Sequence, residues 1–519
     1  MVQSAAMITS QSSAAAASPS SDPRPHAVVI GSGFGGLAAA VRLGARGYRV
    51  TVLEKLPEIG GRARVFRQDG HVFDAGPTIV TAPYLFEELW TLCGRKMADD
   101  VTLVPLDPFY TVRFADGETF RCNGDAEGMR AEVARLSPDD VAGYERFLKE
   151  SEEIFKVGFQ GLSSIPFDSP LDMLKVLPDF IRLRSDRSVF AHVAKHIKNP
   201  YLRMALSFHP LFVGGNPFQV TSIYSLIAYL ERHWGVHWAM GGTGKLASGL
   251  AGLIEGQGGV VRCNTEVAAL TLDGRRATGV RLASGEEIKA DIVVSNADSA
   301  YTYHKLLPSG YPRSLMNNRL DDARQSMSLF VWYVGTRGTQ GLWRDVGHHT
   351  ILMGPRYKEL LDDIFHKRIL ADDFSLYIHR PTVTDPSLAP AGGDSFYILS
   401  PVPNTKGSTE WPQAAEAYRD RIADALEATL LPGLRRQMTV SRMITPAYFR
   451  DALLSWDGAA FGPEPLFRQS AWFRPHNRSE DVDGLYLVGA GTHPGAGLPG
   501  VLSSARILDK VVPDARVVA

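Results

Sequence analysis

The spacing of apolar positions changes several times along the chain. The first 25 residues are rich in Ser and Ala, have no apolar core, and predict a disordered tail. Order then begins abruptly. His26–Ile30 is a β-rich run ending in glycines, helix-like sequence follows to Ala45, and Arg49–Leu53 reads as a second strand. Ser137-Pro138-Asp139-Asp140 opens a helix running through Tyr144, Phe147 and Leu148 towards Phe155. In it Ser137 serves as a cap, Pro138 suits the first turn, and the acids suit the positive dipole end. From about 160 to 235 the pattern is mostly helical and aromatic-rich. Strands return at Val260–Val261, Val267–Leu272, Thr278–Leu282 and Asp291–Ser295. Ser328–Gly335 is the most apolar run and predicts a buried strand. The chain closes with a strand at Leu485–Val488, a glycine-rich turn and a helix from about Gly500. Strand-helix-strand at one end and strand-turn-helix at the other predict one α/β domain assembled from separated pieces.

Composition narrows the class. A chain of 519 residues divides into two or three lobes, and 45% hydrophobic with 21% charged residues is ordinary for a folded soluble protein. A formal net charge of −1 argues against nucleic-acid binding. Cys93, Cys122 and Cys263 lie far apart and form no C-x-x-C pair, which argues against a disulfide framework or zinc site and fits a reducing cytoplasm. No apolar run reaches the roughly 18 residues of a membrane-spanning helix. The tail has no basic residue before Arg24, so it reads as neither a secretory signal nor a transit peptide.

The first chemistry lies at Gly31-Ser32-Gly33-Phe34-Gly35-Gly36, a G-x-G-x-x-G between a strand and a helix. Gly31 permits the tight turn, Gly33 lets the backbone approach a pyrophosphate, and Gly36 lets the helix pack on the sheet. The helix start offers free N–H groups and partial positive charge to the phosphates. Glu54, 18 residues beyond Gly36, ends the second strand where a ribose-binding acid belongs. A chance glycine turn explains a bare motif less well once strand, helix and acid accompany it.

Glu54-Lys55 is followed by Gly60-Gly61-Arg62, where two glycines let the chain pass close to a cofactor and an arginine can pair with pyrophosphate. This element resembles the second FAD-binding motif of the amine oxidase and carotenoid desaturase superfamily. Phe73-Asp74-Ala75-Gly76-Pro77-Thr78 resembles the segment that runs beside the flavin ring. The run from Gly484 through Gly489-Ala490-Gly491-Thr492-His493-Pro494 to Gly500 is similar to the signature of bacterial-type phytoene desaturases. Phe208–Pro217, Ser295-Asn296-Ala297-Asp298 and Gln469–Asn477 extend the resemblance across nearly all of residues 26–515. One departure is that Ala239-Met240 precedes Gly241-Gly242 where relatives usually carry proline.

The resemblance implies a Rossmann-like FAD-binding domain of the amine oxidase/glutathione reductase type (26–108, 236–300 and 455–519). It further implies a mixed α+β substrate domain (109–160 and 301–454) and a helical lobe (161–235) for membrane contact. FAD would be held by Gly31, Gly33, Phe34, Gly35, Gly36, Glu54, Lys55, Gly61, Arg62, Gly76, Pro77, Thr78, Val267, Asn296, Gly489, Ala490, Gly491 and Thr492. The implied reaction is desaturation of 15-cis-phytoene, through phytofluene and zeta-carotene, to neurosporene or lycopene, with quinone or oxygen as electron acceptor. No residue declares itself as the proton acceptor. Glu231, Arg232 and Arg474 are candidates, each also explicable as an ion-pair or helix-end residue. His233 and His237 have i, i+4 spacing but no third ligand, so no metal is expected.

Such a lipid substrate implies a peripheral contact at the cytoplasmic side of the cell membrane. Residues 175–203 carry seven basic and two acidic side chains interleaved with apolar ones, including Arg182, Arg184 and Arg187. That pattern suits an anionic bilayer and equally an ordinary solvated helical face. A hydroxyneurosporene dehydrogenase, a C30 desaturase and an amine oxidase are neighbouring readings. A non-enzymatic binder of prenylated proteins shares the fold but needs no flavin, and so does not account for the intact glycine loop.

Overall fold

The computed structural model describes residues 22–518. The expected disordered tail therefore lies outside the described residues as far as residue 21. Beyond it, Arg24 already donates to the Gln257 carbonyl at 3.2 Å.

Two sheets organise the chain. The first is five-stranded and wholly parallel, in the order Leu485–Leu487, Ile292–Ser295, His26–Ile30, Arg49–Leu53, Val260–Arg262. Its strands come from both ends and the middle of the sequence, and His26–Ile30 is buried throughout because helices cover one face and a β-meander covers the other. The Phe34–Ala45 helix lies against the Leu498–Val511 and Thr243–Gly256 helices. A three-stranded antiparallel meander, Val267–Asp273, Arg276–Leu282 and Glu287–Lys289, is appended to this body.

The second sheet has seven strands, in the order Met438–Ile444, Ser328–Thr336, Ser395–Val402, Leu376–His379, His349–Leu352, Tyr110–Arg113, Thr119–Cys122. All its pairings are antiparallel except that of His349–Leu352 with Tyr110–Arg113. Ser328–Thr336 is buried at every position because both faces are covered. Phe330, Trp332 and Val334 pack under the Trp411–Thr429 helix, while Leu329, Val331 and Tyr333 face a different core. The alternation is the period-2 rule of a strand, and an unbroken apolar run results when neither side is wet.

That second core also receives Val193, Ile197, Leu202, Leu206 and Phe208 from the helical region. The Val189–His196 and Pro200–Ser207 helices thus close over the inner face of the sheet. The Pro170–Arg182 helix differs: none of its residues is buried.

Two local expectations need correction. Ser137 makes no cap; its Oγ donates to Asp140 at 2.9 Å, and a 3-10 turn over Pro138–Asp140 precedes the Val141–Phe155 helix. Asp140 instead accepts from the backbone of Lys198 and Asn199 at 2.8 and 2.7 Å, tying two helical segments together. The final helix starts at Leu498 rather than Gly500, because proline fits the first turn and Gly497, at φ 93°, turns the chain into it.

Candidate active site

A large cavity of about 600 Å³ runs between the two sheets. One end is bounded by the glycine loops. Gly31 has φ +90°, and a Cβ on Gly36 would lie 2.1 Å from the Gly31 carbonyl oxygen, so the turn and the following helix close only around glycine. Gly60 bridges to Gly33, with its N–H donating to the Ser32 carbonyl at 3.0 Å. The Gly60-Gly61 pair therefore packs on the first loop as well as facing the cavity.

Fifteen of the eighteen residues expected to hold the cofactor line this cavity: Gly31, Gly33, Phe34, Gly35, Glu54, Lys55, Gly61, Arg62, Gly76, Pro77, Thr78, Val267, Asn296, Gly489 and Ala490. Gly36, Gly491 and Thr492 sit behind the lining. Thr492 is wholly buried, with its hydroxyl on the Pro475 carbonyl at 2.5 Å. Gly491 packs on Ser299. These three support the loops from behind. Asn296 is wedged between loops, and a Cβ on Gly35 or Gly489 would lie 2.6 or 2.5 Å from its Oδ1.

The electrostatics at this end suit an anionic, ribose-bearing ligand. Glu54 is oriented by Ser32, whose N–H and hydroxyl donate to Oε2 at 2.9 and 2.6 Å, and by the Leu56 N–H on Oε1 at 2.9 Å. Each carboxylate oxygen keeps lone-pair capacity towards the cavity. Arg62 donates to the Ser455 hydroxyl at 2.7 Å, while its buried Nε has no partner among the described residues. Burial lowers the Arg62 pKa, opposed by Asp298, whose own pKa burial raises. An orphaned guanidinium N–H on the wall of a glycine-lined cradle fits a pyrophosphate. The N-termini of the Phe34–Ala45 and Leu498–Val511 helices both open here, adding unpaired N–H groups and positive dipole ends.

The remainder of the cavity is a greasy duct. Phe208, Leu211, Phe212 and Ile227 line one side, and Leu329, Ile351 and Leu399 of the second sheet line the other. Met173, Val176 and Phe180 of the exposed Pro170–Arg182 helix also line it. His493 sits on the wall against Phe167, at 4.8 Å between ring centroids, and burial holds its pKa down to about 3, so its ring is neutral.

The three proton-acceptor candidates separate. Glu231 lines the cavity although its side chain is almost wholly buried. The Tyr110 hydroxyl donates to its Oε2 at 2.9 Å, and His209 Nε2 approaches Tyr110 at 2.8 Å and Glu231 at 3.5 Å. Arg232 lies off the main cavity, donating to the Tyr144 hydroxyl at 3.3 Å. Arg474 is buried away from the cavity and donates to the carbonyls of Pro463 and Ala490, both at 3.0 Å. It braces the loop that carries Ala490. Among the described residues His233 and His237 converge on no third ligand; His233 stacks on Tyr229 at 5.8 Å. Tyr110 carried no sequence signal, being 121 residues from Glu231; His209 lies in the Phe208–Pro217 stretch, but nothing in the sequence links it to Glu231.

Residues 34–507 match the model of the flavin-containing amine oxidoreductase family. The chain is 54% identical to the neurosporene-forming phytoene desaturase of Cereibacter sphaeroides over 96% of both chains. The chain belongs to this flavoenzyme family, among its phytoene desaturases. A lycopene-forming phytoene desaturase from a Paracoccus species is 47% identical over 94% of this chain and 97% of its own. Among solved structures, an oxidoreductase from Methanosarcina mazei superposes with a TM-score of 0.63 at 19% identity, covering 93% of this chain and all of the other. Cyclohexylamine oxidase from Brevibacterium oxydans superposes at 0.60 and 15% identity, covering 96% and 99%, which shows the shared fold alone. FAD is the cofactor of the family and of this chain, and the glycine-lined end of the cavity fits it.

Proposed function

We propose that this flavoenzyme desaturates 15-cis-phytoene through phytofluene and zeta-carotene, with neurosporene as its main end product. The observation that carries the reading is the cavity itself: a polar, glycine-walled cradle continuous with a duct lined by apolar side chains. The higher identity to neurosporene-forming relatives, 54% and 52%, than to lycopene-forming ones, 46–48%, supports the end point.

Each step removes two hydrogens from adjacent carbons and leaves a C=C bond. Bound FAD supplies the hydride acceptor. The chain supplies the rest. Gly31, Gly33, Gly35, Glu54, Arg62 and Asn296 would hold the cofactor's polar parts, and the duct would align the polyene and exclude water. Glu231 accepts the proton, because it alone of the three candidates reaches the cavity. Tyr110 and His209 hold its carboxylate in place. A quinone or oxygen would serve as the final electron acceptor.

The substrate arrives from a bilayer, through peripheral docking on the cytoplasmic face. Among the described residues no helix is long and apolar enough to cross a membrane. The Pro170–Arg182 helix supports docking, since its inner side lines the duct while Leu171, Leu174, Leu177 and Ile181 are exposed. A helix apolar on both sides, one wall of a hydrocarbon duct, suits partial immersion in lipid.

Incubating the FAD-loaded protein with phytoene in liposomes, under quinone or air, tests the reading by chromatography and visible absorption. New bands at neurosporene positions are expected. Unchanged phytoene beside a fully flavinylated protein overturns the substrate, and lycopene as the main product overturns the end point.

A further inference from the structure

Away from the cavity, His348, His349 and His379 are all buried, and one ring nitrogen of each lies within 4.8 Å of the other two. The second sheet brings them together: His349 and His379 are directly paired across antiparallel strands, and His348 immediately precedes its strand. At two of the rings Nδ1 has a hydroxyl oxygen that can accept its proton. His348 Nδ1 meets the Thr384 hydroxyl at 2.6 Å, and His349 Nδ1 meets the Tyr377 hydroxyl at 2.7 Å. With each Nδ1–H donated to oxygen, the Nε2 lone pairs turn inward. His349 Nε2 is buried with no hydrogen-bond partner, and His348 Nε2 faces His379 Nε2 at 3.2 Å.

We infer that these three Nε2 atoms form a site for one divalent transition ion of the zinc class. Three imidazoles are the donor set such ions take, and bonds of ~2.0–2.1 Å at tetrahedral angles hold two nitrogens ~3.3 Å apart. The 3.2 Å pair already has that spacing. The hydroxyls on Nδ1 are the outer partners that fix ligating rings elsewhere. Burial holds all three rings neutral, the form that binds metal. Trp238 closes one side, with centroids 4.9 and 5.0 Å from His348 and His379. Asp385 is the carboxylate whose field reaches His348 and offsets part of the charge.

The site connects to the cavity. The Tyr377 hydroxyl also meets Thr78 Oγ1 at 2.5 Å, and both residues line the duct. Metal on His349 Nε2 keeps the proton on Nδ1, so Tyr377 accepts there and donates to Thr78. The ion then fixes the polarity of a hydrogen-bond chain ending at the cavity wall, whatever the substrate is.

The FAD-loaded protein, made without a histidine tag in zinc-supplemented medium and desalted, is assayed by elemental analysis and zinc-edge X-ray absorption. One zinc per chain with three imidazole shells is expected. His349→Ala should lose the metal, and Tyr377→Phe should weaken retention against a chelator by about 10–100-fold. Absence of stoichiometric metal in the wild-type protein, a spectrum without imidazole scattering, or full retention in His349→Ala overturns the site. The wild-type measurements decide the matter even if a variant fails to fold.

Discussion

Docking through the Pro170–Arg182 helix makes a quantitative demand on three side chains. Leu171, Leu174 and Ile181 are 63%, 62% and 65% exposed, so nearly two-thirds of each surface is free to enter lipid. Full burial of such a side chain is worth about 1.5–3 kcal/mol, so each contributes about 1–2 kcal/mol on insertion. Replacing all three by Ser removes about 3–6 kcal/mol, a partition constant lower by roughly two to four decades. The basic residues act differently. Arg182 is already engaged by Asp179 at 3.0 Å and Glu153 at 3.4 Å, and Arg184 by Asp186 at 3.1 Å. Their contribution, about 1 kcal/mol each near anionic lipid, is screened by salt. Liposome sedimentation separates the two. The triple Ser variant should bind poorly to neutral and anionic vesicles alike, whereas charge reversal at Arg182, Arg184 and Arg187 should weaken binding only to anionic vesicles at low salt. Undiminished sedimentation of a flavin-loaded triple Ser variant would refute the docking face.

Glu231→Gln should lower desaturation by about 10²–10⁴-fold with the flavin spectrum unchanged, and activity within a few-fold of wild type would remove Glu231 as proton acceptor. Gly36→Ala should abolish FAD retention, because its Cβ meets the Gly31 carbonyl at 2.1 Å; flavin content by absorbance is the readout. Gly252→Ala, where a Cβ meets nothing within 4 Å inside the Thr243–Gly256 helix, should instead raise stability by about 0.5–1 kcal/mol in a denaturant titration. Asp394→Asn should destabilise by about 3–5 kcal/mol by stranding buried Arg380, its partner at 2.8 Å. Burial works to raise the Asp394 pKa, but Arg380, Thr382 and Thr339 outweigh it and hold the carboxyl below its ordinary 3.8. The stability from this pair is therefore present above that pH and lost as pH falls through the lower folded value. Acid melts should show a smaller pH slope in the variant than in the wild type.

What the sequence disclosed and what it concealed divide along a physical line. The glycine loops were legible because their constraint is local: Gly31 and Gly36 close a turn within six residues, and no distant partner alters what a Cβ would strike. Ser328–Gly335 was legible because a strand covered on both faces has no wet position. The pairing of Arg182 with Asp179 and of Arg184 with Asp186 is present in the spacing, but a net charge counts these arginines as if unpaired. The apolar residues interleaved with them are legible in the sequence; which of them are exposed is not. Groups whose meaning depends on distant neighbours were opaque. Glu231 stands apart from Arg232 only because Tyr110, brought in by another strand, and His209 hold its carboxylate at the cavity wall, while Arg232 turns to Tyr144. The three inward-facing histidines depend equally on a strand register, one that sets His349 opposite His379. The second sheet shows why both appear only in three dimensions. One of its faces packs on a helix, so the chemistry it carries accumulates on the other face and at strand ends, where side chains from Thr78 to Tyr377 connect the histidine cluster with the hydrocarbon duct.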